Sequence, residues 1–131
     1  MNAKLFAYGT LKDQVVQKAL FGRTFAVKAA HIENWGLYMA PDGYLFVKTL
    51  EGGRVQGILL ELDTDDLQRA DIWEDLSIYK REICRVFTTE GGEESAYIYT
   101  RRSARGELYC GKETHGLKSS DIIRAIRDLF S

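Results

Sequence analysis

Residues Lys4–Lys12 read KLFAYGTLK, a short apolar run that breaks at Gly9. From Asp13 to Leu20 apolar residues recur at helical spacing, so the whole stretch predicts a strand, a tight turn and the start of a helix. Such a junction leaves the first amide N–H groups of the helix unpaired above the strand end, where they can bind an anion. Gly9 allows the chain to turn and a ligand to approach the backbone. The junction is a candidate binding site, although most junctions of this kind are only connections.

Size and composition are those of an ordinary globular protein. The 131 residues suffice for a single domain over 1–131, with 45% hydrophobic residues, 28% charged residues and one proline. A net charge of −1 provides no general attraction to nucleic acid or to anionic membranes. No leader pattern follows Met1 and no apolar run approaches the length of a membrane span. We therefore expect a cytoplasmic protein without nucleic-acid or membrane partners, whose oligomeric state the sequence does not indicate.

Cysteine and histidine are too sparse to indicate a metal site. Cys84 and Cys110 lie far apart without a CxxC pair, and the two histidines are His31 and His115. We expect neither a disulfide framework nor a bound metal. His115 is interpreted as a solvated loop residue rather than a proton carrier, and Cys110 as an ordinary thiol.

The middle of the chain is patterned as strands joined by turns. Extended structure is predicted for 24–39, 44–50, 55–62, 79–89 and 94–100, with turns at 41–43, 51–53 and 90–93. A helix is predicted from Thr64, its N-cap, to about Trp73 or Asp75. A second is expected at the C-terminus, capped by Ser119 or Ser120. Residues 101–118 have no period and are expected to form a loop or lid.

This order of elements predicts an α+β fold. It consists of a small, curved, barrel-like and mostly antiparallel sheet of about six or seven strands, with helices after the first strand, after the fifth and at the end. A small curved sheet can enclose a ligand cavity, with the strand–turn–helix junction at its mouth.

A second group of chemically capable side chains follows the predicted helix. Glu74 falls at the helix end, where partial burial would raise the pKa of its carboxyl group toward the range useful for proton transfer. Tyr79 and Arg81 are two apart on a strand, so their side chains share a face. The more common arrangement is that Asp71, Glu74 and Asp75 are solvated acids and that Arg81 pairs with one of them.

Together these stretches resemble one family. Phe6–Leu11, FAYGTL, is similar to the YGSL-type N-terminal signature of the γ-glutamylcyclotransferase superfamily, the AIG2-like proteins. Asp71–Glu74 followed by Tyr79–Arg81 resembles the D-x-x-E and Y-x-R segment of that family, and Val55–Leu62 resembles its V-x-G-x-L/V strand. Order and separations match through Thr100.

The resemblance implies a small mixed barrel and an enzyme that uses no metal or cofactor. In the implied reaction the α-amine of a small γ-glutamyl substrate attacks its own γ-carbonyl, which yields 5-oxoproline and an amine. The implied general acid/base is Glu74. The implied substrate-binding residues are Tyr8, Gly9, Thr10, Leu11, Tyr79 and Arg81.

Two departures from the family pattern leave the substrate open. Asp75 stands where the family often has glycine, and the residues after Thr100, which would read the amine portion, match no family pattern. One alternative is a non-enzymatic binding module for a small acidic, glutamyl-like metabolite. A phosphate site at the first turn is a further alternative, disfavoured because no lysine follows at Walker spacing.

Overall fold

The computed structural model describes residues 3–103, 105–109 and 119–130. Its strands are β1 Ala3–Ala7, β2 Lys28–Met39, β3 Leu45–Leu62, β4 Tyr79–Thr88, β5 Glu93–Arg101 and β6 Glu107–Leu108. Its helices are α1 Gln14–Phe21, α2 Thr64–Glu74 and α3 Ser119–Phe130, with a 3-10 turn at Thr10–Lys12. None of the described helices has the length and apolarity of a bilayer span. Cys110, His115 and most of the predicted 101–118 loop lie outside the described residues.

Five strands close into a barrel. They follow the order β3-β1-β5-β4-β2, and β2 pairs back to β3 along most of its length. Neighbouring strands are antiparallel except β1 and β5, which are parallel. The short strand β6 pairs with β2 at Tyr38 and Met39. The predicted α+β class and the barrel-like, mostly antiparallel sheet are confirmed.

Buried apolar side chains form two clusters on opposite sides of the barrel wall. The first cluster draws on all five barrel strands and on no helix, and includes Phe6 and Ile98. The second combines strand residues such as Leu5 with helix residues such as Leu20 and Ile126. Since Leu5 and Phe6 point to opposite sides of β1, this strand is buried on both faces, which explains its unbroken apolar run. The barrel interior is a packed core.

The predicted turn at 51–53 is wrong as a chain reversal. Residues 45–49 and 54–59 both pair with β2 in one antiparallel direction, so β3 continues through this segment as a bulged strand. The bulge lies opposite Asn34, whose side-chain oxygen accepts a hydrogen bond from the Gly52 amide at 3.0 Å. Asn34 and Gly52 have φ of 65° and 77°, which asparagine and glycine adopt readily. The strands predicted at 44–50 and 55–62 are therefore one continuous strand, β3, and α2 follows the third strand rather than the fifth.

The N-cap of α2 is Asp63 and not Thr64. The Asp63 side chain accepts from the Asp66 amide at 2.8 Å, and the Asp66 side chain accepts from the Asp63 amide at 3.1 Å. This reciprocal capping box satisfies two otherwise unpaired amides, so the helix begins one residue earlier than a threonine cap would allow. Helix α3 covers Ser119–Phe130, which places Ser120 inside the helix rather than at its cap.

Candidate active site

A cavity of about 320 Å³ lies where β1 ends, between the barrel and helices α2 and α3. The end of β1, the following turn, the corner between β2 and β3, the connection from α2 to β4 and one side of α3 line it. Its volume is in the range of small-molecule sites. It includes the predicted site residues Tyr8, Gly9, Thr10, Leu11, Glu74 and Tyr79. The cavity adjoins the end of the barrel, whereas the sequence suggested one enclosed by the sheet.

The turn after β1 brings backbone amides to the cavity wall. The amide of Lys12 donates to the carbonyl of Gly9 at 3.1 Å, which is the first hydrogen bond of the 3-10 turn. The amides of Thr10 and Leu11 precede this bond and have no acceptor within the turn. A β-carbon on Gly9 would meet only Leu45, at an ordinary contact of 4.0 Å. Glycine at this position therefore leaves open space beside the backbone.

Tyr8 is buried and forms a fixed part of the wall. Its hydroxyl donates to the backbone carbonyl of Tyr99 at 2.6 Å. Burial, and secondarily the nearby Glu74, raise the pKa of the Tyr8 phenol well above its ordinary value. The hydroxyl therefore remains protonated and committed to this hydrogen bond.

Glu74 differs from the other acids at the end of α2. It is the last residue of the helix, and its carboxyl group is enclosed by protein although the residue keeps some exposure on the cavity side. Desolvation raises the pKa of Glu74 to about 8. A carboxyl group with a pKa near neutrality can accept and donate a proton under physiological conditions.

Asp71 is the centre of a hydrogen-bond network behind the cavity wall. Its Oδ2 accepts from Arg81 Nη1 and its Oδ1 from the Tyr99 hydroxyl, both at 2.6 Å. The Arg81 guanidinium also lies 4.7 Å from the centre of the Tyr97 ring. Because the Tyr99 carbonyl accepts from Tyr8, this network supports the wall of the cavity.

Of the two residues predicted to share a face of β4, one is in the described lining of the cavity and the other is not. Tyr79 lines the cavity, and its hydroxyl lies 3.4 Å from the carbonyl of Leu45. Burial raises the pKa of Tyr79 to about 12, so its phenol stays protonated. Arg81 is absent from the described lining and is engaged by Asp71 instead. The alternative interpretation was that the three acids are solvated and that Arg81 pairs with one of them. It is correct for Arg81, which pairs with Asp71, but not for Glu74, whose carboxyl group is enclosed.

Asp75 shows why glycine is frequent at its position in the family. Its φ is 62°, a conformation that favours glycine and that aspartate tolerates better than most residues. Its carboxylate is exposed and accepts from the amide and the hydroxyl of Ser77, at 3.0 and 2.6 Å. The aspartate thus keeps the backbone turn that glycine would provide.

Several cavity residues were missed at the sequence level because they arrive from distant elements. Asp42 was recognised only as part of a turn, yet it lines the cavity and receives two hydrogen bonds from Arg101, at 2.8 and 3.1 Å. Arg101 also donates to the Tyr79 hydroxyl at 3.3 Å and is the last residue of β5, so it does not belong to the loop predicted from residue 101. The rings of Tyr44 and Trp73 pack edge-on with centroids 6.3 Å apart. No local pattern reports contacts between residues so far apart in the chain.

Among the described residues outside this network we find neither a group of metal ligands nor a reactive thiol. In the described residues, no three His, Cys, Asp or Glu side chains are grouped to hold a metal ion. Cys84 is buried among apolar residues, and desolvation raises the pKa of its thiol to about 11. A thiol with that pKa is a poor nucleophile at neutral pH.

Known proteins share this arrangement of strands and helices. An AIG2-like protein from Mus musculus superposes with a TM-score of 0.71 at 25% identity, covering 89% of this chain and 94% of its own. A protein from Arabidopsis thaliana has a TM-score of 0.73 at 17% identity, with 97% and 83% covered. A structure described as a gamma-glutamyl cyclotransferase has a TM-score of 0.69 at 16% identity, with 98% and 99% covered. The last two likenesses show the fold alone. No curated protein sequence matches the chain significantly.

A family model connects the fold to a class of chemistry. The model described as gamma-glutamyl cyclotransferase, AIG2-like, matches residues 5–119, which include most of β1 and all of the other four barrel strands. Family and fold support a cyclotransferase-like function on small molecules. The chain belongs to the AIG2-like γ-glutamyl cyclotransferase family.

Proposed function

We propose that this protein is a γ-glutamyl cyclotransferase or γ-glutamylamine cyclotransferase, which converts a small γ-glutamyl amide into 5-oxoproline and a free amine. The observation that carries the proposal is the position of Glu74. Its enclosed carboxyl group, with a pKa of about 8, lines the same cavity as the turn formed by Tyr8, Gly9, Thr10 and Leu11. A proton carrier and a set of backbone donors therefore face one ligand-sized space.

The chemistry requires little from the protein beyond positioning and proton transfer. The α-amino nitrogen of the substrate bonds to its own γ-carbonyl carbon, and the amide bond from that carbon to the leaving nitrogen breaks. In this proposal the Glu74 carboxylate takes the proton from the attacking nitrogen and returns it to the leaving nitrogen. Because the nucleophile belongs to the substrate, holding the flexible glutamyl chain in a reactive conformation supplies much of the rate enhancement.

The remaining predicted residues take supporting roles. The amides of Gly9, Thr10 and Leu11 would bind the substrate α-carboxylate or the oxyanion that develops on the γ-carbonyl. Tyr8 forms a rigid wall, and the protonated phenol of Tyr79 is a further donor. Arg81, which donates to Asp71 and is not in the described lining, would act as a positioning residue through Asp71.

The first test replaces the proposed proton carrier. Glu74→Gln keeps the size of the side chain but removes its acid/base function, so we expect 5-oxoproline release to fall by about 100-fold or more. Mass spectrometry of 5-oxoproline, over a panel of γ-glutamyl amines and dipeptides, measures this. Glu90→Gln makes the same chemical change at an exposed residue of the turn between β4 and β5, and should retain full activity.

Circular dichroism and melting temperatures establish that both variants are folded. Wild-type turnover by folded Glu74→Gln would remove Glu74 from the mechanism. If γ-glutamyl compounds instead raise the melting temperature of the wild type and no product forms, the protein is a binding module for glutamyl-like metabolites.

A further inference from the structure

We propose that Arg101 is a positioning residue of the candidate active site, which orients the phenol of Tyr79 so that its O–H group donates to the bound substrate. This inference rests on the proposed function and deepens it, because it gives a role to a residue outside the described lining of the cavity. It is carried by the hydrogen bonds of the Arg101 guanidinium and by the donor chemistry of the two groups that it contacts.

The side chain of Arg101 connects three elements that border the cavity. Arg101 is the last residue of β5, Asp42 lies at the corner between β2 and β3, and Tyr79 is the first residue of β4. The Arg101 side chain is only 13% exposed. Asp42 and Tyr79 both line the cavity. Arg101 therefore contacts two residues of the cavity wall that lie far apart in the chain.

Asp42 fixes the orientation of the guanidinium. Nη2 of Arg101 donates to Oδ2 of Asp42 at 2.8 Å, and Nη1 donates to Oδ1 at 3.1 Å. The carboxylate is itself held, because its Oδ1 also accepts from the Tyr44 amide at 3.2 Å. Two parallel charge-assisted bonds leave the planar guanidinium little freedom to rotate. The corner between β2 and β3 thus determines how Arg101 meets Tyr79.

The hydrogen bond between Arg101 and Tyr79 can have only one direction. Nη1 of Arg101 lies 3.3 Å from the Tyr79 hydroxyl oxygen, and a guanidinium group has donors but no acceptor. The Tyr79 oxygen must therefore accept, which leaves the proton of the phenol for a different partner. The guanidinium carbon is also 5.4 Å from the centre of the Tyr79 ring, so Arg101 contacts both the ring and its hydroxyl group.

The proton of the Tyr79 phenol has a distant acceptor in the described part of the chain. The hydroxyl oxygen lies 3.4 Å from the carbonyl oxygen of Leu45, which is longer than the roughly 2.5–3.0 Å of an ordinary O–H···O hydrogen bond. A carbonyl or carboxylate oxygen of a ligand at an ordinary distance would be a better acceptor. Because Tyr79 and Leu45 both line the cavity, this exchange of partners would take place at the cavity wall.

The positive charge of Arg101 also strengthens Tyr79 as a donor. Burial, and secondarily the nearby Glu74, raise the pKa of Tyr79 to about 12, whereas the hydrogen bond from Arg101 acts in the opposite direction and lowers this pKa. A more acidic phenol donates a stronger hydrogen bond to an oxygen that carries or develops negative charge. Without Arg101 the phenol would lose both its fixed orientation and part of its donor strength.

The first test is a double-mutant cycle on kcat/KM, measured with the γ-glutamyl amide that the wild type converts fastest. Arg101→Gln removes the charge and the paired donors, and Tyr79→Phe removes the hydroxyl group. We expect each variant to lower kcat/KM by about tenfold or more. Because Arg101 acts through Tyr79, the double variant should be at least about fivefold more active than the product of the two losses predicts. A smaller coupling, or wild-type kcat/KM in Arg101→Gln, would overturn the inference.

Arg85→Gln is the matched control. It makes the same change at an exposed arginine of β4 that pairs with the exposed Glu93 outside the described lining, so it should retain full activity and show no coupling to Tyr79→Phe. Circular dichroism and melting temperatures establish which variants are folded. If Arg101→Gln does not fold, Arg101→Lys takes its place in the cycle. The lysine keeps the charge but not the planar pair of donors, and the same coupling is expected.

A spectroscopic test separates failure of this inference from failure of the proposed function. In protein with tyrosine labelled with ¹³C at Cζ, the resonance of Tyr79 is the one that disappears in Tyr79→Phe. Arg101→Gln should move this resonance, and Arg85→Gln should leave it in place. If no γ-glutamyl amide yields product, the proposed function fails, and the resonance still decides whether Arg101 sets the environment of the phenol. A resonance that does not move in Arg101→Gln would overturn the inference, even in an active enzyme.

Discussion

At the residue scale, three acids at the end of α2 have three different environments. Asp71 is paired with Arg81 and Tyr99, and Asp75 is exposed and bonded to Ser77. Glu74 is enclosed, and desolvation alone is the cause of its raised pKa. Carboxylates with partners or water keep their charge easily, whereas an enclosed one tends to hold its proton. The proposed catalytic role therefore belongs to the acid with the unfavourable electrostatic environment.

The raised pKa of Glu74 predicts that the residue destabilises the fold in alkaline solution. Between its ordinary value of 4.5 and about 8 the folded protein retains a proton that the unfolded chain has released. The stability contributed by that proton is complete below about pH 4.5 and is lost as the pH rises through 8. Relative to Glu74→Gln, the wild type should lose on the order of 4 kcal/mol between about pH 5 and pH 9.

Urea unfolding of both proteins across this pH range measures the difference, and the subtraction removes contributions from groups that the two proteins share. Parallel pH profiles would show that the carboxyl group titrates normally and is not enclosed.

The network around Asp71 predicts a stability cost when its charge is removed. Asp71→Asn leaves the partly buried Arg81 guanidinium without its anion, so we expect a loss of about 1–3 kcal/mol in the free energy of unfolding. Glu93→Gln breaks an ion pair with Arg85 that is exposed, and should cost less than about 0.5 kcal/mol. Chemical denaturation measures both. An equal cost in the two variants would mean that burial of the Asp71 pair has no energetic consequence.

At the scale of elements, the cavity depends on how helices are set against the barrel. The capping box at Asp63 fixes where α2 begins, and the positive φ of Asp75 follows its last residue, Glu74. Helix α3 provides Ala125 and Leu129 to the lining, while Ile122 and Ile126 of the same helix are buried in the core. One stripe of α3 therefore anchors the helix, and an adjacent stripe completes the site.

Ile126 is the anchor of α3 with the least exposure. Ile126→Ala removes buried methyl groups and should cost about 2–4 kcal/mol, whereas Arg127→Ala on the exposed side should cost less than about 0.5 kcal/mol. Thermal and urea unfolding measure the loss. Hydrogen exchange should show faster exchange in α3 of Ile126→Ala. Unchanged stability of that variant would mean that the helix is not anchored through this residue.

At the scale of the whole molecule, barrel closure brings the family motifs together. Strand β1 lies between β3 and β5, and Ala7 is opposite Ile58, next to Gly57. A β-carbon on Gly57 would lie 2.4 Å from the Ala7 carbonyl oxygen and 2.6 Å from the Phe6 ring. The strand that carries the V-x-G pattern and the Phe6–Leu11 motif are therefore in close contact at Gly57. Glycine is required there because a larger residue would collide with β1.

This contact predicts a global effect from a small substitution. Gly57→Ala must force β1 away from β3 because the obstructing atom is backbone, so we expect a loss of about 3 kcal/mol or more. Gln56→Ala, at the exposed neighbouring position, should change stability by less than about 0.5 kcal/mol. Melting temperatures and urea midpoints provide the measurement. A Gly57→Ala variant as stable as the wild type would show that the strands can separate without cost.

Prediction from the sequence succeeded where neighbouring residues settle the structure. The extent of α2 and the hairpin turn at 90–93 both depend on local chemistry. It was wrong at 51–53, because two glycines fit a bulge as well as a turn and only pairing with β2 distinguishes them. The role of Arg101 was also missed, since its partner Asp42 lies 59 positions away.

By itself the sequence determined the fold class, the strand–turn–helix at Tyr8–Leu11 and the presence of a glutamate at the end of α2, because periodicity, glycine and capping act over a few residues. Only the tertiary structure decided that this turn and Glu74 share a cavity, that Arg81 stays outside its described lining and that α3 forms one of its sides. Those outcomes depend on strand order, barrel closure and burial, which are properties of contacts between distant residues. The raised pKa of Glu74 also depends on the tertiary structure, because its carboxyl group is desolvated only in the complete fold.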